Sequence, residues 1–198
     1  MEDLVARGID PEQRYLFVID GSKALRSGID SIFGSANPVQ RCRNHKLKNV
    51  LDYLPDDMKD QAKASMQAAF RLEADQGMAK LQKLAEWLEK EYPSAAASLR
   101  EGLSEMFTVN RLGLPKTLHR CLCTTNIIES PHSGLRRKTR RVTRWRDGSM
   151  VLRWCASALL ATEKNFRRIM GYKQLWILEA NLKVRDDSQA VASKGKVA

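Results

Sequence analysis

Two carboxylates stand where a protein carboxylate can bind a metal ion. Asp20 follows the continuous apolar run YLFVI at residues 15–19, which is typical of a buried strand, and precedes Gly21. In open α/β sheets, ligands bind at the carboxyl ends of strands. An Asp-Gly pair is also ordinary turn chemistry, and for an isolated pair that is the more frequent role. Asp20 is therefore a candidate metal ligand, with a turn as the alternative.

Glu129 lies in the segment TTNIIES at residues 124–130. The spacing of Asn126 and Glu129 fits a capping box, in which the glutamate binds the N-cap amide. However, Pro131 would then fall beyond the first helical turn and delete a helix bond. Ser130 as N-cap with Pro131 at the first helical position is the better start. Glu129 would then lie outside the helix, free to bind something else.

The cysteines and histidines offer a second kind of metal site. Cys42 and His45 have the spacing of half a zinc site, and His119, Cys121 and Cys123 could supply the rest. The second half is poor, because structural zinc sites usually use cysteine pairs separated by two to four residues. The sequence has no secretory signal, so we expect reduced thiols. Zinc at Cys42 and His45 stays the weaker alternative.

A strongly basic segment follows Glu129. Residues 136–146, RRKTRRVTRWR, hold seven cations. Residues 111–173 carry 15 Lys and Arg against 3 Asp and Glu, and this net charge of +12 exceeds the net charge of +11 for the whole chain. Arginine favours bidentate phosphate contacts, so we predict nucleic-acid binding here. A solvated charged face, or simple nuclear or nucleoid retention, is the alternative. Trp145 either stacks on a base or anchors the segment. The predicted DNA-binding residues are Arg136, Arg137, Lys138, Arg140, Arg141, Arg144 and Trp145.

The elements that must position these residues can be predicted from periodicity. A strand at 15–19 leads into a helix that ends near Gly34, and a second short strand at 39–43 leads into another helix. Apolar stripes at helical spacing predict only helices over 56–107, and a long helix over 149–170 with Cys155 on its apolar face. No apolar run approaches the roughly 18 residues of a membrane span, so we expect a soluble intracellular protein with no membrane partner.

Five blocks together resemble the C-terminal part of the Mutator-type transposases of bacterial insertion sequences. They occur in the family's order and cover about residues 4–182: FVIDGSKAL at 17–25, QRCRNHKLKNVL at 40–51, TTNIIES at 124–130, RRKTRRVTRWRDG at 136–148 and EKNFRRI at 163–169.

The resemblance implies a ribonuclease-H-like catalytic core with an Asp-Asp-Glu triad and an all-helical insertion. Asp20 matches the second aspartate and Glu129 the glutamate, so both would be catalytic Mg²⁺ ligands in a two-metal site. Cys42 and His45 match the family's Cys-x-x-His motif near the active site, and Asn126 would also lie near it. The implied function is transposition of DNA by Mg²⁺-dependent strand cleavage and transfer in the bacterial cytoplasm, at the nucleoid when DNA is bound.

The predicted fold class is thus α/β, mostly helical, with an incomplete ribonuclease-H-like core. We expect a partial core at 1–55, the helical insertion at 56–107, the rest of the core at 108–182 and a disordered tail at 183–198. The family's first catalytic aspartate lies on an earlier strand, so we expect a truncated copy that is inactive alone.

Two rival hypotheses remain. The first is a non-catalytic DNA-binding remnant that pairs with an intact transposase and interferes with it. The protein partners to test are therefore an intact transposase and, in a homo-oligomer, a second copy of this chain. The second is a helical protein-interaction module stabilised by zinc through Cys42 and His45.

Overall fold

A computed structural model describes residues 1–183. The chain is mostly helical with one small sheet, which confirms the α/β, mostly helical part of the predicted class. The elements occur in the following order: α1 Glu2–Ala6, β1 Phe17–Ile19, α2 Lys23–Phe33, β2 Val39–Arg41, α3 Arg43–Leu51, α4 Asp56–Phe70, α5 Ala74–Glu89, α6 Pro93–Arg100, a 3-10 turn Ser104–Phe107, α7 Thr108–Arg111, α8 Lys116–Leu122, α9 Asn126–Thr139, α10 Gly148–Glu163, a 3-10 turn Tyr172–Gln174 and helical residues 175–183, called α11 here.

The two strands pair in parallel, with Phe17 opposite Val39 and Ile19 opposite Arg41. Helix α2 makes the crossover, since it lies between them in the chain and ends at Gly34, whose φ of 80° suits a residue without a side chain. The predicted strand at 15–19 is confirmed for its last three residues. Asp20 directly follows β1, and Cys42 directly follows β2, so both lie at the carboxyl end of the sheet.

The helical stretch has its own apolar core. Helices α3 to α6 and the 3-10 turn after them bury a set of side chains with exposed fractions of 0–1%: Val50, Met66, Leu81, Leu88, Leu99 and Phe107. The buried residues Ala62, Met66 and Ala69 of α4, like Leu81, Ala85 and Leu88 of α5, recur at spacings of four and three residues, so each of these two helices turns one apolar face inward. Arg43 joins this block to the start of α3, because its guanidinium donates to the carbonyls of Met106 and Phe70 and lies 4.8 Å from the ring centroid of Phe70.

A second apolar cluster lies around α7 and α8. Val109, Leu112, Leu114, Leu118 and Leu122 are its buried members, and Leu175 and Leu178 of α11 pack against it. Residues 184–198 fall outside the described residues, and with them nearly all of the predicted tail.

Two helix predictions were wrong at their ends. Helix α9 begins at Asn126 and contains Pro131, whereas the sequence favoured a start at Ser130. Helix α10 ends at Glu163 rather than at 170. The chain after it turns back onto α8, where the Cys121 thiol donates to the carbonyl of Met170 at 3.2 Å. A helix that continued to residue 170 would not make this contact.

Helices α9 and α10 pack against each other with a very close approach. A β-carbon built on the buried Gly134 of α9 would lie 2.3 Å from Cγ2 of Thr162 in α10. The N-terminus of α10 is capped by Asp147, whose Oδ1 accepts from the Met150 N–H at 2.7 Å. Ala158 and Thr162 are its buried residues, so Cys155, predicted to be core, is only partly covered.

Candidate functional site

Asp20 forms the turn that the sequence left open as the alternative to a metal ligand. Its Oδ1 accepts from the Ser22 N–H at 2.9 Å, which is an Asx turn that leads into α2. Ser22 in turn caps α2 through the Leu25 N–H. The Asp20 side chain is exposed, and its Oδ2 has no hydrogen-bond partner within residues 1–183. One oxygen therefore shapes the turn while the other faces solvent.

Glu129 lies in a network that the sequence did not predict. Its Oε1 accepts from the Thr125 hydroxyl at 2.7 Å and lies 3.4 Å from Nε2 of His45. The capping box, which the sequence left as an alternative, does not form, because the carboxylate bonds to a hydroxyl and not to an N-cap amide. The prediction that Glu129 lies outside the helix was wrong, since its own N–H donates to the Thr125 carbonyl in the first turn of α9.

Cys42 connects this network to the sheet. Its thiol is fully buried, and its backbone N–H donates to the Ile19 carbonyl at 2.7 Å, one residue before Asp20. Its Sγ accepts from the Thr125 N–H at 3.4 Å. The next residue, Arg43, donates its backbone N–H to the Cys123 carbonyl at 3.0 Å. The end of β1, the start of α3 and the junction between α8 and α9 therefore meet at Cys42.

Asn126 also belongs to this junction. Its Oδ1 accepts from the side-chain amide of Asn44 at 3.2 Å. The structure thus brings together four of the predicted site residues: Cys42, His45, Asn126 and Glu129. Asp20 is next in the chain to Ile19, whose carbonyl accepts the hydrogen bond from Cys42. The sequence reasoning missed Asn44 and Thr125. For Thr125 a signal was present, because a threonine directly before an expected helix start is a common N-cap.

The predicted zinc ligands are committed to other partners. The Cys121 thiol donates to backbone carbonyls, and the ring of His119 pairs with the Leu114 carbonyl at 2.9 Å. Burial raises the pKa of Cys123 to about 11 and lowers the pKa of His119. Across residues 1–183, no group of three or more His, Cys, Asp or Glu side chains is arranged to hold a metal ion. The zinc prediction at Cys42 and His45 has no complete ligand set there.

The carboxylates suit Mg²⁺ better than zinc. Mg²⁺ prefers oxygen ligands and binds proteins through one or two carboxylates while keeping several waters. Asp20 Oδ2 and Glu129 Oε2 are carboxylate oxygens with no hydrogen bond to the rest of residues 1–183. The donor type at both positions fits the ion.

The predicted DNA-binding residues form an exposed basic segment. Three of them, Arg136, Arg137 and Lys138, occupy the last turn of α9, where cations also favour the helix dipole. Arg140, Arg141, Arg144 and Trp145 are exposed in the connection to α10. The side chains of all six cations make no ion pair or hydrogen bond within residues 1–183, so their charge is available to a polyanion.

Comparison with known proteins gives the family of the chain. The sequence pattern described as "Transposase, Mutator family" matches residues 1–168. The chain belongs to the Mutator family of transposases. The resemblance of the sequence to this family is therefore confirmed.

Individual members are similar at moderate identity. The chain is 28% identical to the transposase for insertion sequence element IST2 of Acidithiobacillus ferrooxidans, over 97% of this chain and 67% of that protein. It is 29% identical to the transposase for insertion sequence element ISRM5 of Rhizobium meliloti (strain 1021), over 79% of this chain but 39% of that protein. The chain thus spans between about two fifths and two thirds of these relatives. None of the helices within residues 1–183 has the length and apolar character to cross a membrane.

Proposed function

We propose that this Mutator-family chain forms part of the DNA-cleaving centre of an insertion-sequence transposase, with Asp20 and Glu129 as ligands of catalytic Mg²⁺. The observation that carries the proposal is a continuous set of contacts at the carboxyl end of the sheet. It runs from Ile19, next to Asp20, through Cys42 and Thr125 to Glu129. These contacts would hold the Asp20 and Glu129 carboxylates in a fixed position relative to each other.

A ribonuclease-H-like core with a helical insertion is part of this proposal. A parallel strand pair with a helical crossover is compatible with such a core. Strand β1 has β2 as its one neighbour within residues 1–183, so its other edge bears no strand there. The compact helical block with its separate apolar core supports an insertion between Asp20 and Glu129.

Each group would have a distinct task in DNA cleavage. Bound Mg²⁺ would stabilise negative charge that develops on the phosphodiester oxygens. Asp20 and Glu129 would present their free oxygens to the ion. The cations of the segment 136–144 would hold the phosphate backbone of the DNA, since they are exposed and unpaired in the described part of the chain. His45 and Asn126 would orient the carboxylate and the start of α9.

DNA binding can be tested on the chain itself. Each phosphate contact contributes roughly −0.9 to the slope of log affinity against log salt, so six cations predict a slope of about −5 and a loss on the order of 10³-fold between about 50 and 200 mM salt. The variant R140Q/R141Q should reduce the magnitude of the slope by about 2. A matched control, K80Q/K83Q, removes two exposed charges from α5 and should leave it unchanged. A flat salt response, or equal effects of both variants, would refute the assigned surface.

Cleavage requires a second assay. A transposase of full family length that carries these residues should nick transposon-end DNA with Mg²⁺, and D20N or E129Q should each abolish nicking while DNA binding persists. The control E91Q neutralises an exposed carboxylate of the helical block and should stay active. Full activity of D20N or E129Q would contradict the catalytic assignment.

A DNA-binding protein without cleavage activity is the second candidate. It is favoured by the absence, within residues 1–183, of any cluster of three metal-ligating side chains. This chain would then bind DNA with the predicted salt dependence, alone or with an intact transposase, and add no Mg²⁺-dependent nicking of its own.

A further inference from the structure

Thr125 has no assigned role, yet its hydroxyl lies at the centre of the candidate site. Oγ1 is 2.7 Å from Oε1 of Glu129, 3.3 Å from Nδ1 of His45 and 3.3 Å from Sγ of Cys42. Glu129 belongs to α9, whereas Cys42 and His45, at the start of α3, lie 83 and 80 residues away along the chain. One hydroxyl therefore joins three of the residues predicted from the sequence.

This hydroxyl is diverted from its ordinary task. Thr125 is the N-cap residue of α9, and a threonine there normally accepts a hydrogen bond from a helix N–H. The Thr125 side chain makes no such capping bond. Its backbone N–H is engaged as well, as a donor to the Cys42 sulfur. Removing the hydroxyl would therefore cost the helix no capping bond, and any effect must come through Glu129, His45 or Cys42.

The hydrogen of the hydroxyl belongs with Glu129. A threonine hydroxyl has one hydrogen to donate and two lone pairs that accept. The contact to Glu129 is much the shortest, and a bond to a carboxylate is stronger than one to a neutral acceptor. Oε1 receives this bond and also lies close to Nε2 of His45. Oε2 has no hydrogen bond within residues 1–183.

We propose that Thr125 is a positioning residue that fixes the Glu129 carboxylate so that Oε2 points away from the network and toward a bound divalent cation. Cys42 and His45 hold Thr125 and Glu129 in this arrangement and are not themselves zinc ligands. The inference rests on the proposed function for the role of the cation. The hold of Thr125 on Glu129 is independent of it.

The chain offers a close set of variants. T125V keeps the shape of the side chain and removes the hydroxyl, while T125S keeps the hydroxyl. The matched control is T124V, because the neighbouring Thr124 hydroxyl is buried and makes no hydrogen bond within the described residues. Urea unfolding of all three variants separates a loss of folding from a loss of positioning.

The first measurement needs no metal. Carbon-13 relaxation of the Glu129 side chain should report one rigid conformation in the native chain, in T125S and in T124V, and averaging among rotamers in T125V. Equal rigidity of Glu129 in T125V, or averaging already in the native chain, would overturn the proposal.

The second measurement uses Mn²⁺ as the probe cation. Paramagnetic broadening of the Asp20 and Glu129 amide signals should give an affinity about tenfold weaker in T125V than in the native chain, as expected when a residue that orients a metal ligand is removed. The Mn²⁺ affinities of T125S and T124V should stay within about twofold of the affinity of the native chain. Equal affinity in T125V would overturn the role of Thr125 toward the cation. No broadening in the native chain would instead refute the cation site of the proposed function, and the relaxation data would still decide whether Thr125 holds Glu129.

Discussion

The close approach of α9 and α10 makes Gly134 sensitive to any added side chain. An alanine β-carbon there would lie 2.3 Å from Cγ2 and 2.8 Å from Oγ1 of Thr162, whereas carbon atoms in contact prefer about 3.5–4.0 Å. Thr162 cannot turn away easily, because both branches face Gly134 and its hydroxyl donates to the Ala158 carbonyl at 2.6 Å. The two helices must therefore separate by roughly 1 Å or more to accept the methyl group.

The expected loss of stability follows from two opposing terms. Overpacking of this kind costs about 1–3 kcal/mol. Replacing glycine by alanine inside a helix returns about 1 kcal/mol. Because the approach of 2.3 Å places the steric cost near the upper end of its range, about 3 kcal/mol, we expect G134A to lower the free energy of unfolding by about 2 kcal/mol. The variant T162A removes both clashing atoms, so G134A/T162A should be more stable than the sum of the single variants by at least about 1 kcal/mol.

The assay is urea unfolding followed by far-UV circular dichroism, with amide hydrogen exchange to locate the change in α9. G148A is the matched control, because a β-carbon at Gly148 meets nothing within 4 Å. DNA affinity of G134A should fall with the loss of α9, which carries Arg136 to Lys138. If G134A unfolds at the same urea concentration as the native chain, or if T162A gives no rescue, the packing of α9 against α10 is not as described.

Two further predictions concern titratable side chains. Iodoacetamide near pH 8 should modify Cys155 first and spare Cys42 and Cys123 in the native chain. Cys42 and Cys123 are 0% and 3% exposed, and the pKa of Cys123 is about 11. Peptide mass spectrometry after alkylation checks this, and early labelling of Cys123 would contradict it. Burial lowers the pKa of His119, so the unfolded chain binds its proton at higher pH than the folded chain does. Stability should therefore fall as pH drops below about 6.5 and level off below the folded pKa, and H119Q should lack this component in urea titrations; parallel pH profiles of H119Q and the native chain would contradict it.

Much of the fold was predictable because its signals are local. The apolar run before Asp20 predicts β1, and Gly34 marks the end of α2. The helices of the helical block are predicted by their apolar stripes, because apolar residues at helical spacing fall on one face that must be buried. The basic segment could be located from composition alone, and the structure leaves its side chains exposed.

The start of α9 shows where local reasoning failed. A start at Ser130 avoids the helix bond that Pro131 deletes, and this made it the preferred prediction. The native helix starts at Asn126 and therefore lacks the backbone hydrogen bond that Pro131 cannot donate. In return, Thr125 gains contacts with Cys42 and Glu129, and Asn126 bonds to Asn44. These partners are distant in sequence, so no inspection of the segment itself could weigh them.

The sequence by itself determined the residue types, the family and the candidates Asp20, Cys42, His45 and Glu129, because motif order and charge need no coordinates. Only the tertiary structure decided that Cys42, Thr125 and Glu129 meet although 83 residues separate the first two. The physical reason is that the intervening helices bury their own apolar core and return the chain to the edge of the sheet. Packing that follows from many weak contacts sets this meeting point, and no single motif encodes it.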